Sequence, residues 1–482
     1  MAKFVSYRQQ MGIWIGPGLF LLVLFLPAGD MPDAAQAVAA VTVLMATWWI
    51  AEVLPLAATA LLPLVLFPLL EVTPVAAVSA AYAHHLVFLF LGGFMIAVTV
   101  ERWQLHRRLA LLTLRRIGDS PTRLLLGFML VTAFLSMWIS NTATVLMMVP
   151  IASAIASRFI NTDGVDETPA LATPLLLGIA YAASIGGIAT LIGTPPNAIL
   201  AAMVESHYDI TISFADWMAF GLPFAAVFLL LAWLYLKFTW LRDSWQSNTG
   251  GADVIDTELR QLGRLSRAER RVLFVFLCVA VAWVLRGFVP FAWATRIGDS
   301  TIAVAGALAL FMLPAGDGRR LLDWDTAKTI PWGVLLLFGG GFALASGFED
   351  SGLSVWIGQH LLVFEHAGPV LMVTLTALLV KFLTEVTSNT ATATLLIPIM
   401  AGLGEAIGIE PLVLMTTTAV SASLAFMLPV ATPPNAIVFA TPYVSVPIMA
   451  RAGLWLNLIA IPVTTLFIIL LLPLVWDISL LR

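Results

Sequence analysis

The sequence is poor in charged residues and almost devoid of cysteine. Only 11% of its 482 residues are charged, whereas 60% are hydrophobic. A water-soluble chain cannot bury that much apolar surface, so we expect an integral membrane protein. The single cysteine, Cys278, excludes a disulfide framework and a cysteine metal site. The formal net charge of -4 gives no indication of a nucleic-acid partner.

Motifs of intramembrane enzymes are also missing. The sequence has no His-Glu-x-x-His, no Gly-x-Gly-Asp and no serine with a repeated histidine partner. We therefore predict that the protein is not an enzyme and has no catalytic residues. A channel remains an alternative at this point, because polar tips in the membrane can also line a pore.

Apolar runs recur along the chain, and a helix needs about 20 such residues to cross the hydrocarbon layer. The runs are continuous and do not alternate, which favours an all-α polytopic bundle over a β-barrel. We predict spans near residues 12–29, 36–53, 56–71, 84–101, 171–205, 214–239, 272–290, 299–314, 331–348, 411–441 and 447–477.

Two arginine-rich segments indicate the orientation. Residues 102–123 combine arginines with a leucine stripe, which predicts a helix along the inner membrane surface. Residues 242–271 form a polar stretch that we interpret as a cytoplasmic, solvated linker between two halves. We expect a cytoplasmic N-terminus, an external C-terminus and a place in the bacterial inner membrane.

An internal repeat is the most informative feature. Residues 91–94 (LGGF) match 339–342 (GGGF), and 135–144 (LSMWISNTAT) match 383–392 (LTEVTSNTAT), both at an offset of 248 residues. Residues 193–199 (GTPPNAI) match 431–437 (ATPPNAI) at an offset of 238. We place the difference in the polar loop 158–168. Five spans in each half, after an N-terminal helix, predict that the two copies have inverted topology.

Each repeat is interrupted twice. Ser-Asn-Thr lies between apolar stretches of about 15 residues, too short for two crossings, which predicts a re-entrant hairpin. Thr-Pro-Pro-Asn breaks a helix because proline lacks the backbone donor and clashes with the preceding turn. Unpaired backbone groups at membrane depth are typical of transporter sites for anions and sodium.

Neither motif contains arginine, lysine or histidine, so an anion would be held by helix dipoles and by amide and hydroxyl donors. Proton coupling would normally need a titratable group in the membrane. Glu385 is the one candidate, but its counterpart is Met137. We expect Glu385 to be structural, with Lys381 one turn earlier as a possible partner. Sodium coupling therefore fits better, and we interpret His84 and His85 as interfacial residues, not metal ligands.

The paired Ser-Asn-Thr and Thr-Pro-Pro motifs, with residues 48–55 (WWIAEVLP) and the stretch 91–108, resemble the divalent-anion:sodium symporter family of dicarboxylate and citrate carriers. The resemblance covers nearly the whole chain. It implies a homodimer with an elevator mechanism, in which co-transported sodium accompanies a small dianion such as succinate, malate or fumarate. A sodium-independent dicarboxylate exchanger and a citrate or sulfate carrier stay open.

The resemblance also implies site residues. A first sodium site would be lined by Ser136, Ser140, Asn141 and Gly193. A second would be lined by Thr384, Ser388, Asn389 and Ala431. The substrate carboxylates would be held by Asn141, Thr142, Ser388, Asn389 and Thr390, near Pro196 and Pro434.

The domain organisation follows from the repeat and from the same resemblance. The transport domain would comprise residues 122–206 and 367–445, each a hairpin (about 122–157 and 367–404) with its broken helix. The remaining parts would be scaffold helices with basic arms (1–121 and 272–366), a return helix with the linker (207–271) and a last helix (446–482).

Overall fold

The protein is built from α-helices. The computed structural model describes residues 7–27, 29–118, 120–157, 171–241, 250–286, 297–360 and 367–481. Within these ranges no strand forms, and the only β-pairing consists of two isolated bridges, Pro314 with Arg320 and Ile409 with Leu481. The predicted all-α class is confirmed.

The first half of the described chain contains twelve helices: α1 (Tyr7–Phe25), α2 (Asp33–Ala51), α3 (Leu56–Thr59), α4 (Leu62–Leu69), α5 (Val75–Tyr82), α6 (His85–Arg102), α7 (Leu105–Ile117), α8 (Pro121–Ser136), α9 (Asn141–Ala156), α10 (Ala172–Ile188), α11 (Pro195–Tyr208) and α12 (Phe214–Trp240).

The second half contains another twelve within the described residues: α13 (Gly250–Leu262), α14 (Arg267–Arg286), α15 (Asp299–Met312), α16 (Trp324–Ala327), α17 (Trp332–Asp350), α18 (Leu353–His360), α19 (Pro369–Leu383), α20 (Asn389–Ile407), α21 (Pro411–Ser423), α22 (Pro433–Phe439), α23 (Val446–Leu470) and α24 (Leu472–Trp476).

Six helical segments in the described parts are long and apolar enough to cross a membrane: Asp33–Ala51, Val75–Arg102, Phe214–Trp240, Trp332–Asp350, Asn389–Ile407 and Val446–Trp476. Five of them coincide with predicted spans, those near 36–53, 84–101, 214–239, 331–348 and 447–477, whereas Asn389–Ile407 lies in the region predicted as the second hairpin. The predicted span 56–71 is wrong as a continuous crossing, because it divides into α3 and α4. Pro63, which has no backbone donor, lies in the first turn of α4.

The basic segments are more ordered than a surface arm and a solvated linker. Within the predicted linker 242–271, residues 250–262 form α13, and α14 already begins at Arg267; residues 242–249 lie outside the described part. Arginines of α7 pair with acidic residues of α13 and α14: Arg107 with Glu258, Arg115 with Asp256 at 3.0 Å, and Arg108 with Glu269 at 2.6 Å. These contacts tie α7 to the helices that follow the first repeat.

The Arg108–Glu269 pair is the most buried of these contacts. Arg108 is 8% exposed, and its guanidinium also donates to the carbonyls of Leu262 and Gly263. Burial alone would raise the pKa of Glu269, but hydrogen bonds from Arg108 and from Ser266 outweigh it and hold that pKa below its usual value. The predicted surface arm is therefore packed against protein on one side.

Both interruptions of each repeat are present as helix breaks. In the first repeat the chain leaves the helix at 137–140 and again at 189–194. In the second repeat the breaks lie at 384–388 and 424–432. Three of the four hairpin helices are too short to cross a bilayer, whereas α20, with 19 residues, has the length of a span. The proposed loop 158–168 lies outside the described residues.

Equivalent residues of the two repeats contact each other at the centre. Phe90 and Phe338 are separated by the repeat offset of 248, and their rings pack edge to face with centroids 4.7 Å apart. Around them α9 contacts α22, and reciprocally α20 contacts α11. Equivalent elements of the two repeats therefore contact each other reciprocally.

Candidate functional site

A cavity of about 520 Å³ lies where the interruptions of both repeats meet. Four helices begin at its wall, namely α9, α11, α20 and α22, each immediately after a non-helical break. The lining residues are Phe90, Phe94, Val98, Glu101, Ser140, Asn141, Thr142, Ile192, Gly193, Thr194, Pro195, Thr329, Pro331, Val334, Ser388, Asn389, Thr390, Ala431, Thr432, Pro433 and Pro434.

The structure brings most of the predicted site residues to this cavity. Those on its wall are Ser140, Asn141, Thr142, Gly193, Ser388, Asn389, Thr390, Ala431 and Pro434. Pro196 is not among the lining residues, because it is buried and the preceding Pro195 faces the cavity in its place. Ser136 and Thr384 lie behind the wall, each fully buried.

The tip of the first hairpin gathers oxygen atoms around Asn141. The Ser136 hydroxyl donates to Asn141 Oδ1, and the Ser140 hydroxyl caps α9 by accepting from the Ala143 amide at 3.2 Å. A β-carbon added to Gly187 would lie 3.1 Å from both Asn141 Oδ1 and the Gly193 carbonyl oxygen. The Asn141 side-chain oxygen and the Gly193 carbonyl oxygen therefore border a space that glycine keeps free, and the Ser136 hydroxyl bonds to the first of them. Neutral oxygens of this kind suit a hard cation.

The tip of the second hairpin repeats the arrangement with different residues. Thr384 Oγ1 lies 2.8 Å from Asn389 Oδ1 and 2.8 Å from the Ala422 carbonyl oxygen. Ala431 occupies the position of Gly193. The same alignment places Ala425 at the position of Gly187. The second tip therefore has an equivalent asparagine but not the two glycines of the first.

Two further residues next to the site were not predicted from the sequence, although their motif was recognised. Asn197 Nδ2 donates to the carbonyls of Thr190, Gly187 and Ile188 at 2.8, 3.2 and 3.4 Å. Asn435 Nδ2 donates to Leu428 and Ala425 at 3.0 and 3.2 Å. The acceptors Gly187 and Thr190 correspond to Ala425 and Leu428 at the offset of 238, so the asparagine of Thr-Pro-Pro-Asn ties unwound carbonyls in both repeats. The recurring Asn itself was the available signal.

The cavity wall has one charged residue among the described residues, Glu101, near the end of α6. The sequence analysis did not consider it, because it lies outside both motifs. Thr329, Pro331 and Val334, around the start of α17, border the same cavity. The equivalent helices α6 and α17 therefore both contribute to the cavity wall.

Glu385 does not form the expected pair with Lys381. Its carboxylate accepts hydrogen bonds from the amides of Phe426, Met427 and Leu428 and from Asn457 Nδ2. The Lys381 ammonium donates to the Leu424 carbonyl. Both side chains therefore bond to the unwound segment 424–428 of the same repeat. Glu385 contacts this segment and not, as expected, its own hairpin.

His84, His85 and Glu205 form a small polar cluster between the α5–α6 turn and α11. His85 Nε2 lies 3.3 Å and His84 Nε2 4.0 Å from the Glu205 carboxylate. His84 Nδ1 caps α6 by accepting from the Leu86 amide at 3.4 Å, which places the proton on Nε2. In that tautomer the His84 Nε2 proton faces the Glu205 carboxylate, so we interpret the cluster as a polar contact between helices.

Comparisons with known proteins show the family of the chain. The sequence pattern of the sodium:sulfate symporter transmembrane region matches residues 14–480. The chain belongs to this symporter family. It is therefore an integral membrane transporter and not an enzyme, and the resemblance inferred from its motifs is confirmed.

Its relatives match over nearly their whole length. The sodium-dependent dicarboxylate transporter SdcS of Staphylococcus saprophyticus is 44% identical over 481 residues, which are 98% of this chain and 93% of that protein. SdcS of Staphylococcus aureus strain USA300 is 43% identical over 487 residues, 99% of this chain and 94% of that protein.

Two solved structures share the fold at low sequence identity. The Alcanivorax borkumensis YdaH transporter aligns with a TM-score of 0.60 and 14% identity, over 99% of this chain and all of that one. Neisseria gonorrhoeae MtrF, described as illuminating a class of antimetabolite efflux pumps, aligns with a TM-score of 0.58 and 12% identity, over 99% and 97% of the two chains. These likenesses support the all-helical transporter fold.

Proposed function

We propose that this protein is a sodium-coupled symporter of small dicarboxylates such as succinate, malate and fumarate. The observation that carries the proposal is the meeting of two Ser-Asn-Thr tips and two Thr-Pro-Pro-Asn breaks around one cavity. The names of the relatives from Staphylococcus, both sodium-dependent dicarboxylate transporters, support the same substrate and ion.

Helix N-termini would bind the anion. The long helices α9, α11 and α20 begin at the cavity, and the partial positive charge at a helix N-terminus favours carboxylates. Asn141, Thr142, Ser388, Asn389 and Thr390 would supply amide and hydroxyl donors. Because arginine and lysine are absent from the described cavity wall, sodium bound behind each tip would neutralise part of the charge of the dianion.

Sodium would bind behind the tips. Ser136, Ser140, Asn141 and Gly193 would form the first sodium site, and Thr384, Ser388, Asn389 and Ala431 the second. Support comes from the cluster of Asn141 Oδ1, the Ser136 hydroxyl and the Gly193 carbonyl, and from the equivalent contacts of Thr384. Sodium binding that orders the tips would couple ion binding to substrate binding.

We further propose inverted repeats, an elevator mechanism and a homodimer in the bacterial inner membrane, with a cytoplasmic N-terminus and an external C-terminus. The transport domain would comprise residues 122–206 and 367–445. Support comes from the contacts of α9 with α22 and of α11 with α20, which join the two parts of that unit. The polar contacts of Glu205 with His84 and His85 lie at its boundary and would have to break during movement.

Uptake of labelled succinate into proteoliposomes tests the function. External sodium, external potassium and internal dicarboxylate are varied separately. We expect saturable uptake that requires a sodium gradient and does not require internal dicarboxylate. Uptake that ignores sodium but needs internal dicarboxylate would replace the symporter with an exchanger. Transport of sulfate or citrate without any dicarboxylate would refute the substrate, and unsaturable flux would indicate a channel.

A further inference from the structure

The two broken helices differ in how they end. In the first repeat α10 continues to Ile188, whereas in the second α21 ends at Ser423, three residues before Phe426, the counterpart of Ile188. The unwound segment is therefore longer in the second repeat, 424–432 against 189–194. A longer unwound segment has more backbone donors and acceptors without helical partners, and buried groups of this kind need other ones.

In the first repeat the hairpin and the break are held together without charge. A β-carbon on Gly186 would collide with the Ala133 carbonyl, so α10 packs backbone to backbone against α8. One turn further, Thr190 Oγ1 donates to the Met137 carbonyl at 2.5 Å. Close packing and one hydroxyl are sufficient because the helix is nearly complete.

In the second repeat, charged side chains occupy the same two positions of the hairpin. Lys381 stands where the first repeat has Ala133, and it donates to the carbonyl of Leu424, the counterpart of Gly186. Its ammonium also lies 4.3 Å from the centroid of the Phe426 ring. In the first repeat the backbones at Ala133 and Gly186 are in direct contact and leave no space between them. In the second repeat the large Lys381 side chain lies between the equivalent backbones.

Glu385 stands where the first repeat has Met137. Its two oxygens accept from the amides of Phe426, Met427 and Leu428 at 2.7, 2.9 and 3.2 Å, and from Asn457 Nδ2 at 2.7 Å. The side chain is 3% exposed. A carboxylate in this position replaces the helical acceptors that the amides lost when α21 ended early.

The segment held by this pair also carries oxygens around the second tip. The Ala422 carbonyl accepts from Thr384, the residue before Glu385, and Thr384 in turn contacts Asn389. The Ala425 and Leu428 carbonyls accept from Asn435. Residues 422–428 are thus fixed on one side by Lys381 and Glu385, and they present carbonyls on the other.

We propose that Lys381 and Glu385 are positioning residues for the second sodium site, and that they make the two sodium sites unequal. The proposal rests on the sodium coupling proposed above. Neither side chain lines the cavity, so their charges balance each other without competing with sodium or with the dianion. A buried charge whose partner groups are lost is strongly unfavourable, so the two residues should act as a unit.

The test is the sodium activation curve of Glu385→Gln in proteoliposomes. A neutral amide offers one acceptor oxygen in place of two, so the segment 426–428 loses part of its anchor. We expect the half-saturating sodium concentration to rise by about tenfold, the effect of losing one hydrogen bond to a charged group. The KM for succinate at saturating sodium should change less than twofold.

Asp299→Asn is the matched control. Asp299 is also a buried carboxylate, which accepts from the Phe214 amide at 2.8 Å and from Arg286 at 2.9 Å, but it lies away from the cavity. This variant should lower thermal stability without moving the sodium half-saturation. If both variants lose stability alike and neither changes the sodium response, Glu385 is only structural and the inference is overturned.

Two further variants keep the test decisive if Glu385→Gln does not fold. Asn457→Leu removes one of the four donors to Glu385 and should raise the half-saturating sodium concentration by a smaller factor, about threefold. The double variant Lys381→Met with Glu385→Gln removes both charges. It should keep the weakened sodium response, and a wild-type response would show that the pair only balances charge.

Sodium-independent uptake by the wild type would instead refute the proposed function itself.

Discussion

The two repeats agree at their hairpin tips and differ at their broken helices. At the tips, the side-chain oxygens of Asn141 and Asn389 each lie within hydrogen-bond distance of a hydroxyl five residues earlier in the chain. At the breaks, the first repeat uses glycine and close packing, whereas the second uses a lysine and a glutamate. The comparison teaches that the shared chemistry lies in short identical motifs, while the asymmetry lies in the packing behind them.

Removing the tip asparagines should have the largest effect. We expect succinate uptake by Asn141→Ala or by Asn389→Ala to fall below about 1% of wild type, because each loses a sodium oxygen and a substrate donor. Initial uptake rates in proteoliposomes measure the effect, with the amount of folded protein determined by size-exclusion chromatography.

Gln36→Ala serves as the control for these variants. The Gln36 amide also hydrogen-bonds to backbone carbonyls, among them that of Val23 at 2.7 Å, but it lies on α2, away from the cavity. Its uptake should remain near that of wild type. If only one asparagine proved essential, the two tips would not be functionally equivalent, and the symmetric part of the comparison would be broken.

Substitution of the small residues Gly193 and Ala431 at the breaks should affect the two sodium sites unequally. In Gly193→Ala the new β-carbon would collide with the Gly187 carbonyl, so the backbone of the first sodium site must move. We expect the half-saturating sodium concentration to rise by about tenfold, a change of about 1.4 kcal/mol. Ala431→Gly only removes a methyl group and should change it by no more than about twofold.

Sodium activation of uptake by these two variants, measured side by side, provides the check. An equal effect of both substitutions would contradict the idea that only the first sodium site depends on close approach of the backbone. Thermal unfolding in detergent with and without sodium separates lost sodium binding from lost stability, because a ligand stabilises the folded state that binds it.

Removing the asparagines that tie the unwound carbonyls should have a smaller effect, mainly on stability. Asn197 makes three such hydrogen bonds and Asn435 makes two. We expect Asn197→Ala to cost about 2 kcal/mol and Asn435→Ala about 1 kcal/mol. The apparent melting temperature of the purified variants in detergent measures this order, and the reverse order would contradict the expectation that the number of these hydrogen bonds sets the loss of stability.

Much of the fold followed from local sequence. The breaks near Asn141, Pro195, Asn389 and Pro433 were predictable, because proline and isolated polar residues interrupt helices whatever surrounds them. The division of residues 56–71 into α3 and α4 was missed, although Pro63 and Pro68 were visible in an apolar run of spanning length. The hydropathy of a segment gives the length of an apolar run, but it does not show whether that run is one helix or two.

Most of the candidate cavity residues were likewise predictable, because they belong to the repeated motifs. Glu101 was missed because it reaches the cavity from α6, far from those motifs in sequence. The choice between Pro195 and Pro196 was also missed, because it depends on the rotation of α11. Neither the repeat nor the composition shows which side of a helix faces the cavity.

Composition and repeated motifs are local properties, and they were sufficient to predict a membrane transporter with a duplicated pair of polar interruptions. The partners of the two buried charges in the second hairpin became visible only in the folded chain. Lys381 and Glu385 are one helical turn apart, yet each bonds to the segment 424–428. The reason is physical: buried charges take the partners that packing leaves unsatisfied, and those partners are about 40 residues away in the sequence.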